Sequence, residues 1–471
     1  MSHTHTWRRF FHGFCALFCL VLLLSACNQL SRGEPPSTYL PGKKATSTPG
    51  QACPARGTAR AALMPPLPAG LNPQLVYVFQ QGDTSILQRY DVNTGSQETI
   101  LQTQAPGIYK YSLDNVGERI ADANVSPDGQ WVLLKSVVQG QAAIQLVRVD
   151  GQHFQTLYCA PAQAGIDDAL LSPDQRSLVF NQEDVNALST LYVLDLTTGK
   201  LHIALSPLQP NYPEIAQGQQ QTTLMAAYAP ISSHERTTGN LNTHLFNPLP
   251  SKHYLIYVPM KWVNNNSVYV FGMVRASGAP LHTLALLRDI RKDVTQQGSN
   301  LQLIPTAASV DFSCRDDDVT PDNAQVVCST FYYAPNSPNA IKMRPITGGA
   351  FRTVYQGPPG GRIVARVLSN STLIFLLDQP NGPQSLWKMH TDGSGLMQLM
   401  AAQTTDMQLD FASSSYLPWS ITAHDGRLYA LNVYNLGSQA LSLVISDLNG
   451  GIFKTIALQA DVLRLAGWAE L

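Results

Sequence analysis

The chain has 471 residues, 44% of them hydrophobic and only 13% charged, against roughly 25% charged in an average soluble protein. The formal net charge is −1 and no run of Lys and Arg occurs, so nucleic-acid binding lacks its electrostatic basis. That much apolar sequence supports one large β domain or two ordinary domains.

At the N-terminus, Arg8 and Arg9 precede an unbroken apolar run from Phe14 to Leu24. The run is short of the about 20 residues a membrane-spanning helix needs. The stretch LLSAC (Leu23 to Cys27) sets small residues directly after it, as signal-peptide cleavage requires. Its last four residues, Leu24 to Cys27, resemble the bacterial lipobox. The resemblance implies a signal peptide over 1–26 and Cys27 as the lipidated first residue of a protein anchored outside the cytoplasm, facing the periplasm or the exterior. Arg8-Arg9 also bears a faint likeness to a twin-arginine signal, which leaves the export route open. Residues 27–70 are rich in Pro, Ser, Thr and Gly without apolar period, so they read as a flexible tether.

Four cysteines remain beyond Cys27: Cys53, Cys159, Cys314 and Cys328. An even number in an exported chain points to disulfides, with buried free thiols as the alternative. If the turn at Thr320 to Asn323 joins two antiparallel strands, Cys314 and Cys328 lie almost opposite one another, close enough to bond. Cys53–Cys159 follows by elimination and would staple the tether to the domain.

From about residue 71 a unit repeats. NVSPDGQWVLL (Asn124 to Leu134), LLSPDQRSLVF (Leu170 to Phe180) and DVTPDNAQVVC (Asp318 to Cys328) share one corner. Its residues are Ser126, Pro127, Asp128 and Gly129 in the first copy, Ser172, Pro173 and Asp174 in the second, and Thr320, Pro321 and Asp322 in the third. Ser, Pro and Gly in these places suit a type I turn, and the apolar run after it is a short strand. Weaker copies set Asn265 and Asn266, Asn370 and Ser371, and Asp425 and Gly426 in the Asp-Gly columns. A second, Gly-containing turn follows each copy, as in DVNTGSQETIL and LDLTTGKLHIAL, and marks a further hairpin.

The Asp column returns at intervals of roughly 50 residues, one of them roughly double, which is the period of a four-stranded propeller blade. The Ser-Pro-Asp-Gly corner, the apolar run and the Gly turn resemble the TolB-type (WD40-like) β-propeller repeat across residues 71–471. The resemblance implies an all-β propeller of four-stranded blades, most simply seven, and a periplasmic or surface setting. It implies no activity, because the family is functionally diverse. The first unit lacks an inner strand, while the last residues, DVLRLAGWAEL, read as an inner strand with nothing after it. The C-terminus is therefore expected to complete the first blade. The doubled interval leaves room for an eighth blade, but the Pro- and Gln-rich stretch at about 206–250 reads better as a long insertion at the rim.

No catalytic set emerges. The chain has no Gly-x-Ser-x-Gly, no His-Glu-x-x-His and no Cys-x-x-Cys, and its His residues are scattered singly. RDDDVTPD gathers Asp316, Asp317, Asp318 and Asp322, which would suit calcium, although a solvated acidic loop is the plainer reading. Tyr254, Tyr257, Trp262, Tyr332 and Tyr333 suit a sugar-binding face or, more simply, packing between blades. The sequence thus points to a non-catalytic, lipid-anchored binding module for an envelope protein or glycan, without cofactor or metal. The alternative is an enzyme acting on glycans or polymers in the central funnel.

Overall fold

The structure, a computed structural model, describes residues 52–61, 67, 72–104, 119–138, 140–184, 189–206, 255–274, 283–292, 301–303, 314–330, 339–379, 382–411 and 416–470. The expected signal peptide, Cys27 and all but the first residue of the 206–250 insertion lie outside these residues.

Seven antiparallel sheets of four strands form, in sequence order, seven blades. Among the described residues no eighth blade forms, and the segment at 206–250 that could have held it lies almost wholly outside them. In blade 1 the inner strand is Val462–Glu470, which pairs antiparallel with Pro73–Gln81, so the two ends of the repeat close the ring as expected. The inner strands of blades 2 to 4 are Arg119–Val125, Gly165–Leu171 and Leu255–Asn264. Those of blades 5 to 7 are Cys314–Val319, Arg362–Ser369 and Met407–Asp410.

Seven apolar clusters hold the ring, each shared between two neighbouring blades. The strand sequences explain this. A blade is buried on both faces, so its middle strands read as continuous apolar runs rather than alternations. Along TLIFLLD (Thr372–Asp378), Ile374 and Leu376 pack toward blade 7, while Leu373, Phe375 and Leu377 pack toward blade 5. In WVLLKSVV (Trp131–Val138), Val132 and Leu134 face blade 1, whereas Trp131 and Leu133 face blade 3. Tyr257 is fully buried in the cluster between blades 3 and 4, with Trp262 packed against it, so both serve packing. Tyr254, Tyr332 and Tyr333 lie outside the described residues.

The corners are six-residue loops. In the first, Ser126 N–H donates to Trp131 O at 2.8 Å and Gly129 N–H to Ser126 O at 2.9 Å, with Gly129 at φ +68°. Gln175 (φ +57°) and Asn323 (φ +58°) take the same left-handed place in the second and third copies. The weaker copy at Ala423 closes in the same way through Gly426 (φ +68°). The copies around Asn265 and Ser371 differ. There Asn264 pairs directly with Ser267 and Ser369 with Thr372, leaving two-residue turns.

The loop geometry corrects one expected register. Asn323 N–H donates to Thr320 O, but with Asn323 left-handed the corner runs on through Ala324, and Thr320 N–H donates to Gln325 O, so the strands pair from Gln325. The ladder is displaced accordingly. Cys314 stands opposite Thr330, and Cys328 opposite Asp317. Cys328 is buried and disulfide-bonded, while the side chain of Cys314 lies outside the described ones. Cys53 and Cys159 form a disulfide with a Cα separation of 5.7 Å. Around it, residues 52–61 dock on blades 2 and 3, with Gly57 N–H donating to Gly199 O and Arg60 N–H to Leu196 O.

Candidate functional site

The three strong corners share one hydrogen-bond set. Ser172 Oγ donates to Asp174 Oδ1 at 2.6 Å and accepts from Ser177 N–H at 2.9 Å, and Thr320 does the same with Asp322 and Gln325 at 2.6 and 3.0 Å. Ser126 and Asp128 repeat it. The corner Asp residues also clasp the next blade. Gln175 donates to Asp128, Arg291 donates to both oxygens of Asp174 at 2.8 Å, and Asp322 N–H donates to Asn370 Oδ1 at 2.9 Å. Burial pushes Asp174 up, but hydrogen bonds from Ser172 and Arg291 outweigh it and hold the carboxyl below its usual range. These residues therefore serve the ring.

The last blade departs from the others at this end. Its inner strand is joined to Leu428–Asn435 by a connection carrying a short helix, Pro418–Ile421. This connection touches inner strands around the ring. Tyr416 packs on the cluster of blades 4 and 5, and Leu417 lies in that of blades 3 and 4. Trp419 Nε1 donates to Val125 O in blade 2 at 2.8 Å. Gly467 in blade 1 lies so close that a Cβ there would stand 3.0 Å from Trp419 O and 3.2 Å from Ser420 Cα. The helix also meets the inner strand of blade 6. Residues 416–421 thus plug the ring at the corner end. The opposite end receives the connections between blades, and both boundaries of the expected insertion, Leu205 and Leu255, stand there.

Above the plug the inner strands carry charged side chains, which divide into sectors. In blades 2 and 3, Lys135 Nζ lies 2.9 Å from Asp122 Oδ2 and 3.4 Å from Asp168 Oδ1, and it donates to Asp167 O. Burial opposes the lysine's charge, yet Asp122 and Asp168 beside it raise its pKa. Asp168 is pushed up to about 6, chiefly by desolvation, with Lys135 opposing and Asp167 and Asp122 adding to the rise. Its side chain nevertheless keeps 45% of its accessible surface, as on the wall of a concavity. Between blades 4 and 5, Lys261 pairs with the buried Asp318 at 2.9 Å, and Asp318 Oδ2 also accepts from Val367 N–H at 2.8 Å.

Across blades 6, 7 and 1 the cations are arginines. Asp410 is exposed yet raised by desolvation, against the opposing pull of Arg362, Arg464 and Arg366. Arg366 is buried, with its guanidinium 4.3 Å from the centroid of the Tyr416 ring in the plug.

Of the acidic run, the side chain of Asp316 lies outside the described ones, and Asp317, Asp318 and Asp322 do not converge. Asp318 serves Lys261, Asp317 is buried on the inner strand, and Asp322 caps its corner. Among the described residues no three His, Cys, Asp or Glu side chains are placed to hold a metal. The charged walls themselves were missed in the sequence. A signal was present, because Asp122 and Asp168 each stand four residues before the corner Ser.

No protein-family model matches the chain, and no curated protein matches it. Similar solved structures include TolB from Acinetobacter baumannii, at 12% identity and TM-score 0.39 over 70% of this chain and 64% of that one. The chain thus spans just under two thirds of that protein's length. An oligogalacturonate lyase in complex with manganese is similar at 13% identity and TM-score 0.44, over 82% of this chain and 98% of that one. A putative 6-phosphogluconolactonase from Bacteroides fragilis is similar at 10% identity and TM-score 0.42, over 84% and 97%. At such values these likenesses bear on nothing beyond architecture, which the seven sheets establish by themselves.

Proposed function

We propose that this chain is a non-catalytic binding module, anchored by lipid on Cys27 at the outer face of a bacterial membrane. It takes an envelope protein or glycan at the unplugged end of the ring. The observation that carries the reading is the plugged ring, a cup with charged walls whose floor is Tyr416 to Ile421. Among the described residues the carboxyls with raised pKa are Asp168 in blade 3, acted on by Lys135, and Asp410 in blade 7, acted on by arginines, and neither is among the groups acting on the other. That arrangement suits recognition better than paired acid–base chemistry.

Cross-linking in native cells tests the module, with a Cys27→Ala chain as the unanchored control. One abundant envelope protein lost from the control is the expected result, and background alone in both samples would remove the protein partner and turn the search to a glycan or small molecule. Removal of 206–250 should also weaken the capture, since that segment joins strands at the open end.

One observation favours the enzyme reading instead. Asp168, water-accessible and half protonated near pH 6, has the character of a general acid. Release of fragments from envelope polysaccharide by the wild type, and not by Asp168→Asn, would establish it.

A further inference from the structure

We propose that the groove on the outer flank of the ring between blades 7 and 1 is a docking site for a short peptide segment of a partner protein. The segment is held by its backbone, and one of its carboxylates or carbonyls meets Lys454. The site lies outside the ring and does not depend on the cup.

The mode of binding is already present once in the chain. Between blades 2 and 3, residues 52–61 lie in the groove between the outer strand Gln155–Cys159 and the Gly turn of blade 3. Gly57 N–H donates to Gly199 O at 3.2 Å, Arg60 N–H to Leu196 O at 2.8 Å, and Gln155 Nε2 to Ala61 O at 3.3 Å. Gly199 is buried beneath Thr58, whose backbone a Cβ there would strike.

Blade 1 repeats the turn of blade 3 bond for bond. Asp195 N–H donates to Lys200 O and Asp91 N–H to Ser96 O, both at 2.9 Å, while Gly199 and Gly95 donate to the same two aspartates' carbonyls. Each aspartate's Oδ1 accepts from the N–H groups two and three residues on. Val92 O and Gly95 O therefore stand where Leu196 O and Gly199 O do. Among the described residues nothing donates to either, and Gly95 is exposed. A Cβ there would meet only Tyr90 Oη, at 3.6 Å. An open pair of carbonyls of this kind suits a peptide's N–H groups.

The facing strand matches as well. In Ile452–Leu458, Lys454 lies opposite Ile445, which belongs to the cluster of blades 7 and 1. Gln155 lies likewise opposite Leu146, in the cluster of blades 2 and 3. Lys454 thus takes the place of Gln155 and adds a charge. Beside it, Ile452 and Phe453 are 62% and 58% exposed, apolar surface that an occupant can cover. In blades 2, 6 and 7 the turn is one residue shorter and closes on the blade before it. A Cβ on Gly151, Gly393 or Gly450 would stand 2.9, 2.6 or 3.2 Å from Ile100 O, Val354 O or Leu399 O.

Fluorescence polarisation on the Cys27→Ala chain tests the groove with a labelled peptide of residues 52–61 carrying Cys53→Ser. The chain's own copy stays stapled by Cys53–Cys159. The peptide should bind saturably, and about fivefold more tightly with a free carboxylate at Ala61 than as the amide, a difference that Lys454→Gln should remove. N-methylation at Gly57 and Arg60 deletes both backbone donors and should weaken binding about tenfold. Gly95→Asn tolerates the left-handed backbone but fills the groove, and should weaken it by at least about as much. Gly140→Asn, at a left-handed glycine in open space on blade 2, should bind as the wild type does. Melting curves confirm that each variant is folded. No binding, or affinity unchanged by Gly95→Asn or by N-methylation, would overturn the site. A carboxylate preference that survives Lys454→Gln would overturn it too.

Discussion

The wall of blades 2 and 3 and the wall of blades 6, 7 and 1 are built around equivalent inner strands, yet their charged groups differ. On the first, three carboxylates surround one lysine; on the second, three arginines surround Asp410. The corners and the clusters between blades are alike around the ring, because they set its geometry. The inner strands need only extended backbone at the centre, so their side chains are free to differ. In this molecule the repeated residues make the scaffold and the unrepeated ones make the surface a ligand meets.

The comparison can be broken most forcefully at Lys135. Its side chain is only 18% exposed, and Lys135→Met would leave three carboxylates without their cation. We expect a loss of about 3 kcal/mol in urea unfolding at pH 7, as when one partner of a buried pair is removed. The loss should shrink toward pH 4 as the carboxylates protonate. Asp410→Asn should behave in the opposite sense. It neutralises a group that folding already disfavours as an anion, so stability should change by less than about 1 kcal/mol.

Removing the plug's indole, Trp419→Ala, deletes a partly buried aromatic and its hydrogen bond to Val125. A cost of about 2 kcal/mol is expected, below the range for a fully buried Trp. Envelope capture should also weaken, because the floor of the cup is disturbed. Ser172→Ala removes one corner's two hydrogen bonds and should cost about 1 kcal/mol, with no change in envelope capture. A change in capture there would erase the division between scaffold and surface.

The smallest effect is one of pH. Asp168 titrates near 6 in the folded chain, above the about 3.9 of an unfolded Asp. Between those values the folded state holds more protons, so this group's contribution to stability grows as pH falls through the window and is lost above it. Asp168→Asn should therefore raise the unfolding midpoint at pH 8, with Lys135 still paired to Asp122, and leave it unchanged near pH 4.

Much of the fold was legible because its signals are local. Ser-Pro-Asp-Gly fixes a corner through contacts within six residues, and the run after it marks a strand. Closure of blade 1 was legible because an unmatched strand stood at each end of the repeat. The register at Cys314 was misjudged for a local reason too, since a left-handed residue at Asn323 is not distinguished from an ordinary turn residue by type. The two-residue turns at Asn265 and Ser371 were likewise hidden by columns that align in sequence but not in backbone. The charged walls were beyond reach because their partners are set by blade order. Asp410 meets Arg362 and Arg464 only once the ring has closed. Asp122 and Asp168 repeat before their corners, but nothing in that repetition names Lys135 as their cation.

A crystal of the soluble Cys27→Ala chain soaked in bromide would test the two walls most directly, because anomalous scattering locates the anion without a prior choice of ligand. We expect bromide beside Arg362 and Arg464 and none beside Lys135. Bromide on the wall of blades 2 and 3, or nowhere within the ring, would contradict the account.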